Sequence, residues 1–252
     1  MQKHGSSNSS NWKLRFIKDP PAVMLILFAV LSLSVFTGIY DKQTSFPEYV
    51  GKDLNEEEMA EVIERNSPLT SYVHLSPNAD FPRDSAIQKI TIHHMGANLT
   101  LERLGESFSK RDRGASSNYG IDVDGNIALY VEEADRAWTS SSPENDNMAV
   151  TIEVANESTG GDWPVSDSSF ESLIELCTDI CLRNGIDELV YTGDADGNLT
   201  IHKMFSQNTD CPGPYLESRM EAEEIEKSFE VNNGHNSDEY DASQIQILEG
   251  LE

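Results

Sequence analysis

One stretch limits what this chain can become: His202-Lys-Met-Phe-Ser-Gln-Asn-Thr209-Asp-Cys211-Pro-Gly-Pro-Tyr215-Leu. A histidine and a cysteine stand nine positions apart, and a Cys-Pro-Gly-Pro turn stops the loop. Far upstream, the apolar run Ile90-Thr-Ile92 ends on a histidine pair, His93-His94. Imidazole and thiolate are ligands that Zn²⁺ prefers, and three protein ligands with one open position describe a catalytic zinc site. We read His93, His202 and Cys211 as that set. Spacing alone leaves His93 and His94 as alternatives, because neighbours on a strand point to opposite faces. The rest of the chain either builds the sheet that holds these side chains or carries the domain to where it works.

From Ser85 onward, strand and helix patterns alternate. Ala86 to His93 reads as a strand, with Ile90 and Ile92 on one face and Thr91 and His93 on the other. Leu99 to Arg111 suits a helix with Leu101, Leu104 and Phe108 on one side. Tyr119 to Val131 reads as a hairpin turning at Asp124-Gly125, where glycine allows positive φ. Ala149 to Val154 is a further strand. Asp167 to Asn184 is an amphipathic helix with Gly185 as its C-cap. Leu189 to Thr192 is expected as a strand, and Pro214 to about Phe229 as a last helix. This order implies an α/β layer fold around a mostly buried sheet.

The N-terminal region differs in kind. Residues 1–19 carry Lys3, Lys13, Arg15 and Lys18, and no charge interrupts the run from Pro20 to Tyr40. About 20 apolar residues in a helix cross a hydrocarbon core. The basic flank places residues 1–19 in the cytoplasm and everything from Asp41 outside. The expectation is a single-pass membrane anchor with an extracytoplasmic C-terminal domain. The alternative is secretion after signal cleavage, although the run is long for a signal core and no clean Ala-x-Ala site comes after it. Residues 41–85 read as a stalk: Glu56 to Arg65 suits a short helix, and Pro68, Pro77 and Pro82 interrupt the segment beyond it. The domain then spans 86–230. Residues 231–252 read as a mobile acidic tail without a basic residue.

A net charge of −26 on 252 residues argues against a nucleic-acid partner and against docking on anionic surfaces. The three cysteines are an odd count, which disfavours a disulfide framework. Cys177 and Cys181 lie four apart on one helix face and read as small buried hydrophobes. Glu153 sits within the apolar Val-Thr-Ile-Glu-Val, where a carboxylate needs a reason to be. Beside a zinc-bound water it could act as general base and then as acid; at the strand's exposed end it would have no such role. Asp194-Ala-Asp196-Gly-Asn198 has part of a calcium-loop pattern but lacks the closing glutamate, and reads as a turn between Val190 and Ile201. His4 and His235 lie in the tails.

With these residues in view, 86–230 resembles the zinc-dependent N-acetylmuramoyl-L-alanine amidase family of phage endolysins, bacterial autolysins and peptidoglycan-recognition proteins. Five blocks carry the resemblance, in the family's order. They are Ile-Thr-Ile-His93-His94, Ser-Ser-Asn118-Tyr-Gly-Ile-Asp-Val-Asp-Gly125, Arg136-Ala-Trp138-Thr139, Ala-Val-Thr-Ile-Glu153-Val-Ala-Asn156, and His202 through Thr209-Asp-Cys211-Pro-Gly-Pro-Tyr-Leu. The resemblance implies a mixed central sheet flanked by helices, with a groove across the zinc. It picks His93 over His94 as ligand, with His202 and Cys211 completing the set. It makes Glu153 the base; the tyrosine other branches use falls here at Ser117. Thr209 matches the position near the developing oxyanion, and Asn118, Trp138 and Thr139 would line the groove.

The implied reaction is hydrolysis of the amide joining the lactyl group of N-acetylmuramic acid to L-alanine. The implied partners are the peptidoglycan stem peptide and muramic acid, acted on by a monomer held to the membrane through one helix. A non-catalytic peptidoglycan-binding module on the same fold is the alternative; a complete ligand set argues against it. A different zinc hydrolase, such as a peptidase, is a third reading.

Overall fold

Period-two alternation gives Ile90-Thr-Ile-His and Val150-Thr-Ile-Glu one aliphatic and one polar face each. A segment of that kind is stable where its aliphatic face meets a helix and its polar face finds hydrogen-bond partners. The structure, a computed structural model, does this and describes residues 48–221. The expected cytoplasmic tail, the 20–40 membrane span, the acidic tail and the last helix beyond residue 221 lie outside the described residues. Among the described residues, no helix is long and apolar enough to cross a membrane.

The elements in chain order are α1 (Glu56–Glu64), β1 (Thr70–Val73), β2 (Ala79–Asp80), β3 (Lys89–His94), α2 (Leu101–Phe108), β4 (Tyr119–Ile121) and β5 (Ile127–Leu129). They continue with β6 (Arg136–Ala137), α3 (Pro143–Met148), β7 (Ala149–Val154), α4 (Asp167–Asn184), β8 (Leu199–Ile201) and α5 (Pro214–Glu221). The main sheet has six strands in the order β1-β5-β4-β7-β3-β8. Only the β4–β5 hairpin is antiparallel; β1–β5, β4–β7, β7–β3 and β3–β8 run parallel. β2 and β6 form a separate antiparallel pair. The fold is the expected α/β type, a mixed central sheet flanked by helices.

The aliphatic face of this sheet presents Ile90, Ile92, Val150, Ile152, Val154, Leu199 and Ile201 to Leu173, Leu176 and Ile180 of α4. Cys177 and Cys181 are free and buried in the same core, as small apolar side chains. On the opposite face, Ala128 and Tyr130 pack under Leu101, Leu104 and Phe108 of α2. Helix α4 starts at the Ser166 cap and stops at Gly185, whose φ of 66° supplies the left-handed cap. The β4–β5 turn is held by Asp122, which accepts the Asp124 and Asn126 N–H groups. At Gly125, φ is 85°, and a Cβ would approach Ser172 Oγ to 2.7 Å and Ser168 O to 2.9 Å. No other residue fits there.

Three expectations need correction. The stretch read as a stalk contributes α1, β1 and β2 to the body. Val62 of α1 is fully buried, and β1 is the edge strand beside β5. Pro68 and Pro77 break the chain without excluding a strand of four residues between them. Leu189 to Thr192 is not a strand. The Val190 carbonyl accepts both Asn198 and Leu199 N–H, and Asn198 Oδ1 accepts Val190 N–H, so a local turn consumes the ladder groups. Leu199–Ile201 takes the sheet edge instead. The helix expected to run to Arg111 is shorter, starting after the Thr100 cap and ending at Phe108.

An ionic cluster with Glu133 buried at its centre and Arg183 at its solvent edge ties the loop after β5 to α4. Glu133 accepts hydrogen bonds from Arg183 at 2.6 and 2.9 Å, from the Tyr119 hydroxyl at 2.6 Å and from Asn184 at 3.1 Å. Removing Arg183 leaves the buried Glu133 charge with only the Tyr119 and Asn184 donors. Arg183→Ala is therefore expected to lower the unfolding free energy, by about 1–3 kcal/mol, read from urea denaturation.

Candidate active site

Three strands deliver functional side chains through the same triplet: Thr91-Ile92-His93, Thr151-Ile152-Glu153 and Thr200-Ile201-His202. In each, the central isoleucine is fully buried in the α4-side core. Its neighbours therefore face the other way. β3 lies between β7 and β8 with Thr91 opposite both Thr151 and Thr200, and His93 opposite Glu153. His202 begins a 3₁₀ turn that runs out of β8.

The ligand atoms of His93, His202 and Cys211 all lie within 4.8 Å of one another. His93 Nδ1 is 3.7 Å from Cys211 Sγ, and the two imidazole centroids are 4.7 Å apart. Bond lengths of ~2.0–2.3 Å at tetrahedral angles put ligand atoms ~3.5 Å apart, so small side-chain adjustments bring this set onto one ion. His93 Nε2 and Glu153 Oε2 are shielded from solvent without a protein hydrogen-bond partner. Two neutral nitrogens, one sulfur and a neighbouring carboxylate fit Zn²⁺.

The histidine pair divides between the two faces of its strand. His94 points away from the cluster, and its ring meets Trp163 edge-on at 4.8 Å. Its backbone N–H donates to Cys211 Sγ at 3.3 Å. The cysteine is held by its loop: its N–H donates to Thr209 Oγ1 at 3.1 Å, and its carbonyl accepts Lys203 N–H at 3.0 Å. Asp210, the other candidate oxygen donor, is exposed.

Burial disfavours charge throughout the site. It pushes His93 well below the usual imidazole range, with His202 and His94 adding to the effect. It also lowers His202, against the pull of Asp146. It raises the Cys211 thiol, as does the charge of Glu153, against the His94 N–H. It pushes Glu153 up to about 8, with Arg113 opposing. The imidazoles are thus in the neutral form that ligation needs, while the thiol needs a cation to ionise.

The other expected site residues lie close to this framework. Asn118 does not line a groove as expected: it is fully buried, its Nδ2 donating to Val131 and Glu132 carbonyls and its Oδ1 accepting Thr151 N–H. Thr139 Oγ1 donates to the Ser116 carbonyl at 2.7 Å and lies 2.8 Å from Thr151 Oγ1. Trp138 is half-buried, its indole N–H donating to Asp80 at 3.2 Å. Ser117 is buried and donates to Tyr119 O. Sequence reasoning passed over Trp163, Asn145 and the three threonines. The repeated Thr-Ile-X triplet was the available signal for the last.

A mixed sheet that brings two imidazoles and a thiol together beside a buried carboxylate has the make-up of a metal-assisted hydrolase. The chain belongs to the N-acetylmuramoyl-L-alanine amidase family (Amidase_2), whose sequence profile matches residues 83–214. Among solved structures, a point mutant of PlyL aligns at 14% identity over 63% of this chain and 97% of that one, with a TM-score of 0.49. The amidase LysC from Clostridium intestinale URNW aligns at 22% identity over 54% and 84%, with a TM-score of 0.43. Drosophila peptidoglycan recognition protein SA aligns at 16% identity over 59% and 90%, with a TM-score of 0.45. No curated protein sequence matches the chain.

Gly213 shapes the turn behind Cys211. Its φ is 87°, and a Cβ there would stand 2.7 Å from Trp163 Cβ. Left-handed backbone costs about 1–2 kcal/mol for an L-residue, and the clash adds to it. Gly213→Ala is expected to lower the melting temperature and to weaken Zn²⁺ binding at least tenfold, by the displacement of Cys211; equilibrium dialysis with metal analysis measures the second.

Proposed function

We propose that this chain is a zinc-dependent, membrane-anchored N-acetylmuramoyl-L-alanine amidase. It would cut the amide between the lactyl group of muramic acid and L-alanine in peptidoglycan. The observation that carries this reading is the convergence of His93, His202 and Cys211 beside Glu153. His93, His202 and Cys211 would hold Zn²⁺, which when bound would supply Lewis-acid polarisation of the scissile carbonyl and of the attacking water.

The remaining steps belong to the protein. Burial keeps both imidazoles neutral and available as donors. The His94 N–H at 3.3 Å favours the Cys211 thiolate. Burial gives Glu153 a high proton affinity; a cation held beside it would lower that affinity and favour the carboxylate that accepts a proton. Glu153 can then take a proton from the attacking water and deliver it to the leaving amine. The Thr209 hydroxyl accepts the Cys211 N–H and keeps its own proton to donate to the developing oxyanion. Trp138 offers a partly exposed ring as a groove wall, held by its indole N–H to Asp80 and its backbone N–H to Ser116 Oγ, while Thr139 and Asn118 are both tied to Thr151.

Two experiments test the reading. With the full chain in detergent and purified cell wall, mass spectrometry is expected to find peptides beginning at L-alanine, with release stopped by chelator and restored by Zn²⁺. Glu153→Gln is expected to reduce that release by about 10²–10⁴-fold while keeping bound zinc. An active glutamine variant would remove Glu153 from the mechanism. For the anchor, the full chain is expected to stay with membranes through a high-salt wash, and a chain beginning at Asp41 to leave them. Equal partition of the two would sink the anchoring assignment.

A further inference from the structure

Beneath the ligands lies a row of hydroxyls that the hydrolytic reading does not use. Thr91 and Thr200 are fully buried, and each sits two residues before a ligand, one pleat below it. Their Oγ1 atoms are 2.9 Å apart. Asn145, buried on α3, donates from Nδ2 to Thr91 Oγ1 at 2.9 Å. Thr200 Oγ1 donates to the Ile90 carbonyl at 3.3 Å.

This chain of hydrogen bonds has one direction. An amide nitrogen can only donate and a carbonyl can only accept. Thr91 therefore accepts from Asn145 and donates to Thr200, which donates to Ile90 O. Each hydroxyl is confined to one rotamer well, and three elements, α3, β3 and β8, are tied together by side chains. Valine would serve the strands as well in shape and β-propensity. What threonine adds here is the bond.

The location makes the bond consequential. Among the described residues, β8 is the edge of the sheet, three residues long, and pairs with β3 alone. It nevertheless carries His202 on its exit. The isoleucine between each threonine and its histidine is locked in the core, so a shift of Thr91 against Thr200 passes to His93 against His202. We infer that Asn145, Thr91 and Thr200 form a positioning layer that fixes the spacing of β3 and β8 beneath His93 and His202, and so sets how tightly the His93, His202 and Cys211 set grips a divalent cation. The inference rests on the zinc reading above.

The test uses the full chain purified in detergent, with Zn²⁺ titrated against a chromophoric chelator and Co²⁺ as a spectroscopic probe. Thr91→Val and Thr200→Val are expected to weaken Zn²⁺ binding about 10–100-fold, the range for partners that orient metal ligands. The Co²⁺ absorption bands are expected to shift with them. Metal-free stability should fall no further than in Thr178→Val, which loses a hydroxyl bonded to Ile174 O within α4. Thr91→Ser keeps the hydroxyl and is expected to restore binding. Asn145→Leu removes the first donor from outside the sheet, and the same weakening is expected should a strand variant fail to fold. Variants that bind Zn²⁺ within twofold of wild type, or a serine that rescues nothing, would overturn the positioning role alone. A wild-type chain that binds no Zn²⁺ would overturn the zinc reading and this inference together.

Discussion

The parallel pairing of β3 with β7 on one side and β8 on the other is the interaction on which the rest depends. It sets His93 opposite Glu153 and brings the chain out of β8 at His202. A slip of one residue in either ladder would turn a histidine or a carboxylate into the α4-side core and an isoleucine out of it. The aliphatic face resists that slip, because Ile90, Ile92, Val150, Ile152, Leu199 and Ile201 would all have to leave one apolar layer. The register of the site is therefore enforced from the face opposite to it. Hydrophobic burial under α4 holds polar side chains in place on the other side of the same strands.

Burial also sets the chemistry. Every titratable group of the site is driven toward its neutral form, imidazoles downward and thiol and carboxylate upward. Such an environment is costly for isolated charges and favourable for a cation with a matching thiolate and carboxylate. The same desolvation that makes Glu153 expensive as a plain anion makes it a strong proton acceptor. Function and cost have one origin here.

How much could be read from the sequence depends on how local each signal is. The helix from Asp167 to Asn184, its glycine cap and the Asp124-Gly125 turn are written in contiguous residues, and the structure has them at those positions. The grouping of His93, His202 and Cys211 was legible because histidine and cysteine carry few other roles in that arrangement. The choice between His93 and His94 needed the resemblance, since spacing on a strand is symmetric between the two faces until one face is known to be core. The edge strand β1 was missed because it is four residues between prolines, and its stability comes from β5, far along the chain. Leu189 to Thr192 failed for the converse reason: strong local β-propensity, with its backbone groups taken by Asn198. Trp163 gave no sequence signal, because its contact with His94 and its approach to Gly213 are tertiary.

The two sides of the site are held by different means, and this bears on how it works. His93 and Glu153 sit on interior strands, each with neighbours on both sides. His202 leaves an edge strand and Cys211 lies on a loop, so their positions rest on fewer backbone bonds. The loop makes up the deficit with specific contacts: Thr209 to Cys211 N–H, Lys203 N–H to Cys211 O, and an ion pair between Lys203 and Glu217 of α5. The edge strand makes it up with the Thr91–Thr200 bond. A metal bound across this divide joins a rigid half to an adjustable one. On the proposed reading, the interior strands would fix the base and the first ligand, and the edge strand and loop would bring the other two ligands onto the ion.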